Sequence, residues 1–247
     1  MPIIGKGKNM STSSKWVNHT GGSTLVFHEH GNEARWYDAI GANARKWEMR
    51  YGSDFTDNIE YALTLVGTTP TVAQGVTAGV RSALSTVGTN AGDGINMQLV
   101  GTPFQFAAGY PAYFGISWAF DNVLADWFVG LASLDDTIID SSHALAIAAS
   151  AIGFYGLGTS AVTAYSEIHA SGSEGTTCAG TSSAVAHVYE FVYDGVSSVA
   201  FYMDGVLEAT HTTYVPTVVL SPTIVLQNGS AAARTGTINW MRCIQLA

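Results

Sequence analysis

Positive charge is nearly absent from the body of this chain. No Lys or Arg occurs between Arg81 and Arg234, and the 152 residues between them hold twelve acids. Phosphate neutralisation needs clustered cations, so the main body is a poor candidate for binding nucleic acid. Charged residues make up 12% of the 247, about half of the roughly 25% usual in globular domains. A surface so poor in charge suits packing against other protein. There are two cysteines, Cys178 and Cys243, with no CxxC or Cys/His cluster. That excludes a disulfide scaffold and a structural zinc site, and both are expected as buried free thiols. No run approaches the ~18 apolar residues of a membrane-spanning helix. The start, Met1 to Met10, has no apolar run of about 7 to 15 residues of the secretory kind, so synthesis in a reducing cytoplasm is expected.

Several catalytic signatures are also missing. There is no Glu-x-Asp-x-x-Glu run, no Gly-x-Ser-x-Gly and no phosphate-binding glycine loop. Asp135, Asp136 and Asp140 are the densest acids, but their spacing does not place a carboxylate pair on one strand face, and they read as turn residues. Ser171-Gly-Ser-Glu-Gly lacks the strand-to-helix context of a nucleophile elbow. The seven His are scattered, and only His28 and His30 lie close. Asn90-Ala-Gly-Asp-Gly and Asp54-Phe-Thr-Asp-Asn are the calcium candidates, without the spacing of an EF-hand loop. No catalytic residue, metal or cofactor is expected.

What is present is β pattern from end to end, with Gly, Pro, Asn and Asp at the turns. Candidate strands are Thr24–His28, Trp36–Ala39, Lys46–Tyr51, Ile59–Val66, Ile95–Val100, Tyr113–Asp121, Trp127–Ala132 and Ala151–Tyr155. They continue with Val162–His169, Ala184–Tyr193, Ser198–Met203, Val206–His211, Thr223–Gln227 and Gly236–Leu246. The clearest segment runs from His187 to Thr210, where Asp194-Gly195 and Asp204-Gly205 divide three strands into a meander. Tyr189, Phe191 and Tyr193 share one face of the first of these strands and Val188 and Val192 the other, as in a central strand covered on both sides. One short helix is expected over His143–Ser150, capped by Ser141 or Ser142. Residues 67–94 hold few large apolar side chains and read as a long loop excursion. The pattern predicts an all-β sandwich or jelly roll at 25–247, preceded by an N-terminal arm at 1–24.

The arm carries Lys6, Lys8 and Lys15, with no acid before Glu29. Trp16 lies beside Lys15, and aromatic residues are enriched at interfaces, so these four residues are the candidate docking group for an acidic partner. Trp118, Trp127 and Trp240 are expected in the core.

The meander is followed by Val215-Pro216, Leu220-Ser-Pro-Thr-Ile-Val-Leu-Gln-Asn and Thr237-Ile-Asn-Trp-Met-Arg-Cys-Ile. This succession resembles the concanavalin A-like or laminin-G-like jelly roll, and more narrowly such domains in tailed-phage virion proteins. The narrower resemblance rests on the order of Ala125-Asp-Trp-Phe-Val-Gly-Leu-Ala, Ile152-Gly-Phe-Tyr, His187-Val-Tyr-Glu-Phe, Phe201-Tyr-Met-Asp-Gly-Val and Ile238-Asn-Trp-Met-Arg, over residues 95–247. It implies a non-enzymatic capsid decoration or cement protein on the virion surface, made in the host cytoplasm. Its partners would be the major capsid protein and further copies of itself, with a homotrimer expected from the three-fold positions of capsid shells. Neither nucleic acid nor membrane is expected as a partner. The alternative is a carbohydrate-binding module of a tail or fibre, with glycan as ligand; a glycoside hydrolase ranks behind it.

Overall fold

Alternating aromatic or β-branched side chains, punctuated by Gly, Asn and Asp, build strands in this chain wherever one face can be buried. The computed structural model describes residues 14–19, 22–27, 44–48, 61–67, 70–74, 82–145 and 150–246. Two antiparallel sheets of eight strands face one another. The first runs, edge to edge, β13 (Gly172–Thr181), β12 (Ala161–Ile168), β11 (Ala151–Leu157), β10 (Ala125–Ala132), β17 (Val219–Asn228), β7 (Gly94–Leu99) and β4 (Tyr61–Val66). A short β8 (Phe104–Gln105) also pairs with β17. The second runs β16 (Val206–His211), β15 (Val199–Met203), β14 (His187–Tyr193), β9 (Ala112–Phe120), β18 (Thr235–Leu246), β6 (Ser82–Ser85) and β5 (Thr71–Gln74), with β3 (Ala44–Glu48) also on β18. A hairpin of β1 (Ser14–His19) and β2 (Gly22–Phe27) pairs with neither.

The core lies between the sheets. Trp127 and Phe154 from the first sheet meet Tyr189 and Phe201 from the second, with ring centroids 5.2 Å apart for Trp127–Tyr189 and 5.4 Å for Phe154–Phe201. Phe191 stacks on Phe114 at 5.0 Å. All six rings are wholly buried. The period of two sends Tyr189, Phe191 and Tyr193 inward and Val188, Glu190 and Val192 outward. β14 lies between β15 and β9, central as its apolar faces predict. Within the first sheet, Gly130 of β10 pairs with Gly153 of β11. A Cβ on either would come within 2.2 Å of the opposing backbone oxygen, so this close approach requires glycine.

Three sequence-based expectations differ from the structure. The stretch 67–94 contains a hairpin, β5 and β6, whose short strands are hidden by Thr, Ala, Gln and Ser; Leu84 alone sends a large side chain from β6 into the core. The expected helix does not begin at Ser141 or Ser142. Residues 141–145 instead form a turn closed by the Ile139↔Leu145 bridge, with His143 at φ +62, and 146–149 lie outside the described residues. No helix occurs among the described residues. Trp118 and Trp127 are buried as expected, but Trp240 faces outward and is only half-buried beneath the Arg242 guanidinium, 5.4 Å from its ring. β13 escaped notice because it is an edge strand of Gly, Ser and Thr whose alternate residues face water.

One end of the sandwich collects the sheet-to-sheet crossovers 86–93, 121–124, 182–186 and 229–234, together with the hairpin turns 158–160 and 204–205. Asn228, wholly buried, pins this end. It donates to the carbonyls of Gly88 (2.9 Å) and Asn90 (3.0 Å) and accepts from the Thr86 hydroxyl (2.6 Å). At the lateral edge, buried His211 of β16 bridges the sheets, with Nδ1 2.9 Å from Ser166 Oγ and Nε2 3.0 Å from Thr176 Oγ1. Burial lowers the His211 pKa, opposed by the Glu174 carboxylate.

Phe201→Ala removes a wholly buried ring from the contact between the sheets, and a loss of about 3–5 kcal/mol in denaturant unfolding is expected. His211 titrates lower folded than its unfolded value of ~6.5, so below that pH the unfolded chain binds the extra proton and stability falls. Asp126 and Glu190, whose carboxyl pKa values are raised mainly by burial, act in the opposite sense, favouring the fold as they are neutralised. A comparison of urea midpoints between pH 7.5 and 5.5 isolates the histidine: the acid-side loss is expected to be smaller in His211→Gln than in the unmodified protein.

Candidate functional site

The outer face of the first sheet is partly roofed by its own β10–β11 connection. Phe128 and Ala132 of β10, Ala151 of β11, Tyr165 of β12 and Val225 of β17 point outward. Ile138, Ile139 and Leu145 of the connection close over them as a second apolar cluster. Amide side chains tether the roof. Gln98 of β7 donates to the Ser133 carbonyl (3.1 Å) and accepts from the Asp135 N–H (2.9 Å), and Asn96 donates to the Asp135 carbonyl (2.7 Å). Gln227 of β17 donates to the Asp140 carbonyl at 3.2 Å. Asp140 folds the far end of the roof by accepting the N–H groups of Ser142 (2.8 Å) and Ala144 (3.1 Å). A fourth tether comes from β10, where Asp126 Oδ2 lies 2.5 Å from His143 Nδ1. Burial raises the Asp126 carboxyl pKa, and His143 opposes the rise.

Between the roof and the β4–β7 edge remains a cleft of about 240 Å³. Its walls combine apolar Val66, Ile138 and Val225 with polar Asn96, Gln227, Asp136, Thr137 and Asp140. Asn96 is only 6% exposed, and its Oδ1 has no hydrogen-bond partner among the described residues. Buried polar atoms are normally paired, so this acceptor beside the cleft is an unmet hydrogen-bonding group. The aspartates expected as ordinary turn residues divide. Asp135 accepts from the Thr137 N–H (2.9 Å) in such a turn, whereas Asp136 and Asp140 also line the cleft. Among the described residues no group of three or more His, Cys, Asp or Glu is placed to hold a metal. Cys178 and Cys243 are free and buried, as expected, and burial pushes the Cys178 thiol up to about 11.

Sequence reasoning missed the amides because Asn96, Gln98 and Gln227 look like ordinary polar strand positions; only the roof gives them a role. It also passed over Glu190, a wholly buried carboxyl on the outer face of the second sheet that accepts from Tyr113 Oη at 2.8 Å. Of the four residues expected to dock a partner, Lys6 and Lys8 lie outside the described residues. Lys15 and Trp16 lie in β1, opposite Val26 and Leu25. Their hairpin shares no strand pairing with the sheet that carries the cleft. His28, His30 and the segment from Asp54 to Asn58 also lie outside the described residues.

No family model matches the sequence, and no curated protein matches it. Solved structures do match. An endo-1,3-beta-glucanase from Streptomyces sioyaensis aligns with a TM-score of 0.54 at 13% identity, covering 85% of this chain and 99% of the enzyme. An endo-acting O-glycanase of the human gut microbiota, described as initiating mucin breakdown, aligns at 0.53 and 10% identity, over 81% and 99% of the two chains. The carbohydrate recognition domain of Emp46p in its potassium-bound form aligns at 0.51 and 11%, over 76% and 89%. The fold is therefore the concanavalin A-like jelly-roll sandwich predicted from the sequence. The expectation of a non-enzymatic protein is corrected by the same comparison. This fold carries glycan-cleaving enzymes among its members, so the absence of one contiguous acid motif is no ground for excluding catalysis.

Proposed function

We propose that the protein recognises glycan in the cleft on the outer face of its first sheet. The observation that carries this reading is the unpartnered Oδ1 of buried Asn96 in the cleft wall. A buried acceptor left unpaired costs about 1–3 kcal/mol, and a sugar hydroxyl supplies the missing donor. Asp136, Asp140 and Thr137 add polar groups suited to neighbouring hydroxyls, and Val66 and Val225 provide an apolar wall for the ring's C–H face. The volume is just under the roughly 300 Å³ at which drug-sized ligand sites begin, which suits one monosaccharide unit of a longer chain. Jelly-roll neighbours that bind or cleave glycans support the reading by analogy of fold.

A second reading concerns the N-terminal segment, and what favours it is that β1 and β2 pair only with each other among the described strands. We propose that this hairpin, with Lys15 and Trp16, docks on an acidic partner surface such as a virion shell, assisted by Lys6 and Lys8. Several such arms on one oligomer would bind together at high effective concentration.

A glycan array followed by calorimetry on the best ligand tests the first reading. Asn96→Ala is expected to weaken binding about tenfold, the value of one buried hydrogen bond of ~1.4 kcal/mol. Equal affinity in the variant, or no glycan bound by the unmodified protein, overturns it. Release of reducing ends from the bound glycan reads cleavage in the same samples. For the second reading, removal of residues 1–24 is expected to abolish co-sedimentation with capsids while leaving the thermal midpoint of the sandwich in place. Undiminished co-sedimentation rejects it.

A further inference from the structure

Away from the cleft walls, the crossover 182–186 and the β15–β16 turn bring together a serine, a histidine and an aspartate. Ser183 Oγ lies 2.9 Å from His187 Nε2, and His187 Nδ1 lies 2.7 Å from Asp204 Oδ2. The protonation pattern follows from the partners. An ionised carboxylate only accepts, so Nδ1 carries the proton and the Nε2 lone pair faces Ser183. The serine oxygen already accepts the Val185 N–H at 3.2 Å, which leaves its own proton to donate to Nε2. Asp204 is held from two further sides. Its Oδ1 accepts the Val188 N–H at 2.8 Å, and its own N–H donates to the Val188 carbonyl at 2.8 Å, with φ at +51. Nucleophile, base and orienting acid thus stand in the order that defines a hydrolytic triad by geometry and role.

The other histidines show what sets this one apart. His211 holds hydroxyls on both nitrogens and is wholly buried, so it is a structural bridge. His143 has its carboxylate, Asp126, but among the described residues no serine hydroxyl lies on its other nitrogen. The His187 group reaches solvent: Ser183 is half-buried, and the His187 and Asp204 side chains are 19% and 50% exposed. The same two loops display bare apolar side chains, Val185 at 69% exposure and Val206 at 61%, with Leu207 next to them. No cation occurs in the chain from residue 82 to 233, so nothing in these loops attracts an anionic substrate.

We propose that Ser183, His187 and Asp204 form a serine esterase site for neutral carboxylic esters carrying a short acyl group. Ser183 Oγ attacks the carbonyl carbon while His187 Nε2 takes the hydroxyl proton. The C–O bond to the alcohol breaks, and that alcohol leaves with the proton from His187. Water then attacks the acyl-Ser183, again giving a proton to His187, and the carboxylic acid departs as the serine recovers its proton. Ser183 and His187 are the catalytic residues, and Asp204 is a positioning residue that fixes the tautomer. The exposed side chains of Val185, Val206 and Leu207 offer the acyl group apolar contact. The site needs no glycan in the cleft.

The test treats the full chain with a fluorophosphonate and with p-nitrophenyl acetate. The expected results are a single adduct mapped by peptide mass spectrometry to Ser183, and turnover at least about 100-fold above that of Ser183→Ala. Asp204→Asn should lower kcat more than it changes KM. No adduct on Ser183 of the unmodified protein, or equal turnover by the folded alanine variant, overturns the proposal. The adduct is read on the unmodified protein, so it decides even where a variant fails to fold. Because neither probe carries a sugar, a negative result here is distinct from a failure of glycan binding.

Discussion

The aromatic layer shared by the two sheets is the constraint on which the rest of the molecule depends. Trp127, Phe154, Tyr189 and Phe201 interlock across the gap, and none of them touches water. Burying rings of this size is the dominant favourable contribution in an all-β domain with so few charges. Once it sets the separation and relative rotation of the sheets, the outer faces are determined as well. Each inward ring on β10 or β14 forces its neighbours in sequence outward. Asp126, Phe128 and Glu190 face away from the core for that reason alone.

What the outward residues then do depends on what lies over them. On the first sheet a connection of modest length returns as a roof, and the strands meet it with amides as well as apolar groups. Asn96, Gln98 and Gln227 satisfy backbone carbonyls and N–H groups that would otherwise be buried unpaired. The roof stops short of the β4–β7 edge, which leaves the cleft. At the end of the sandwich, crossovers from both sheets converge and the Asn228 network fixes their carbonyls. The Ser183–His187–Asp204 group sits at this same end because β13 must cross to β14 there and β15 must turn back into β16.

The strands that carry large apolar side chains were legible in the sequence. β9, β10, β14 and β15 announce themselves by alternation and by Asp-Gly turns, since burial of one face imposes a period of two. β5, β6 and β13 were not, because short or edge strands of Ser, Thr, Ala and Gly are stabilised by the partners they pair with rather than by their own side chains. The helix start expected at Ser141 or Ser142 gives way to a turn for a related reason. Its alanine-rich composition favours helix weakly, and the seating of Ile138, Ile139 and Leu145 on the sheet outweighs that preference. The expectation of a non-enzymatic protein rested on the resemblance to virion domains and on missing contiguous motifs, and a candidate group assembled from a crossover and a hairpin turn leaves no such motif to read.

By itself, then, the sequence determined the class of the protein: an all-β sandwich, with buried thiols and a central β14. These follow from local periodicity and composition, which need no knowledge of contacts. Tertiary structure alone decided which polar groups became functional candidates. Asn96 matters because a roof buries it without pairing its Oδ1. His187 matters because Asp204, 17 positions later in the chain, lies hydrogen-bonded to its Nδ1. Both facts arise from long-range strand pairing and packing, which bring together residues whose sequence neighbours say nothing of the meeting.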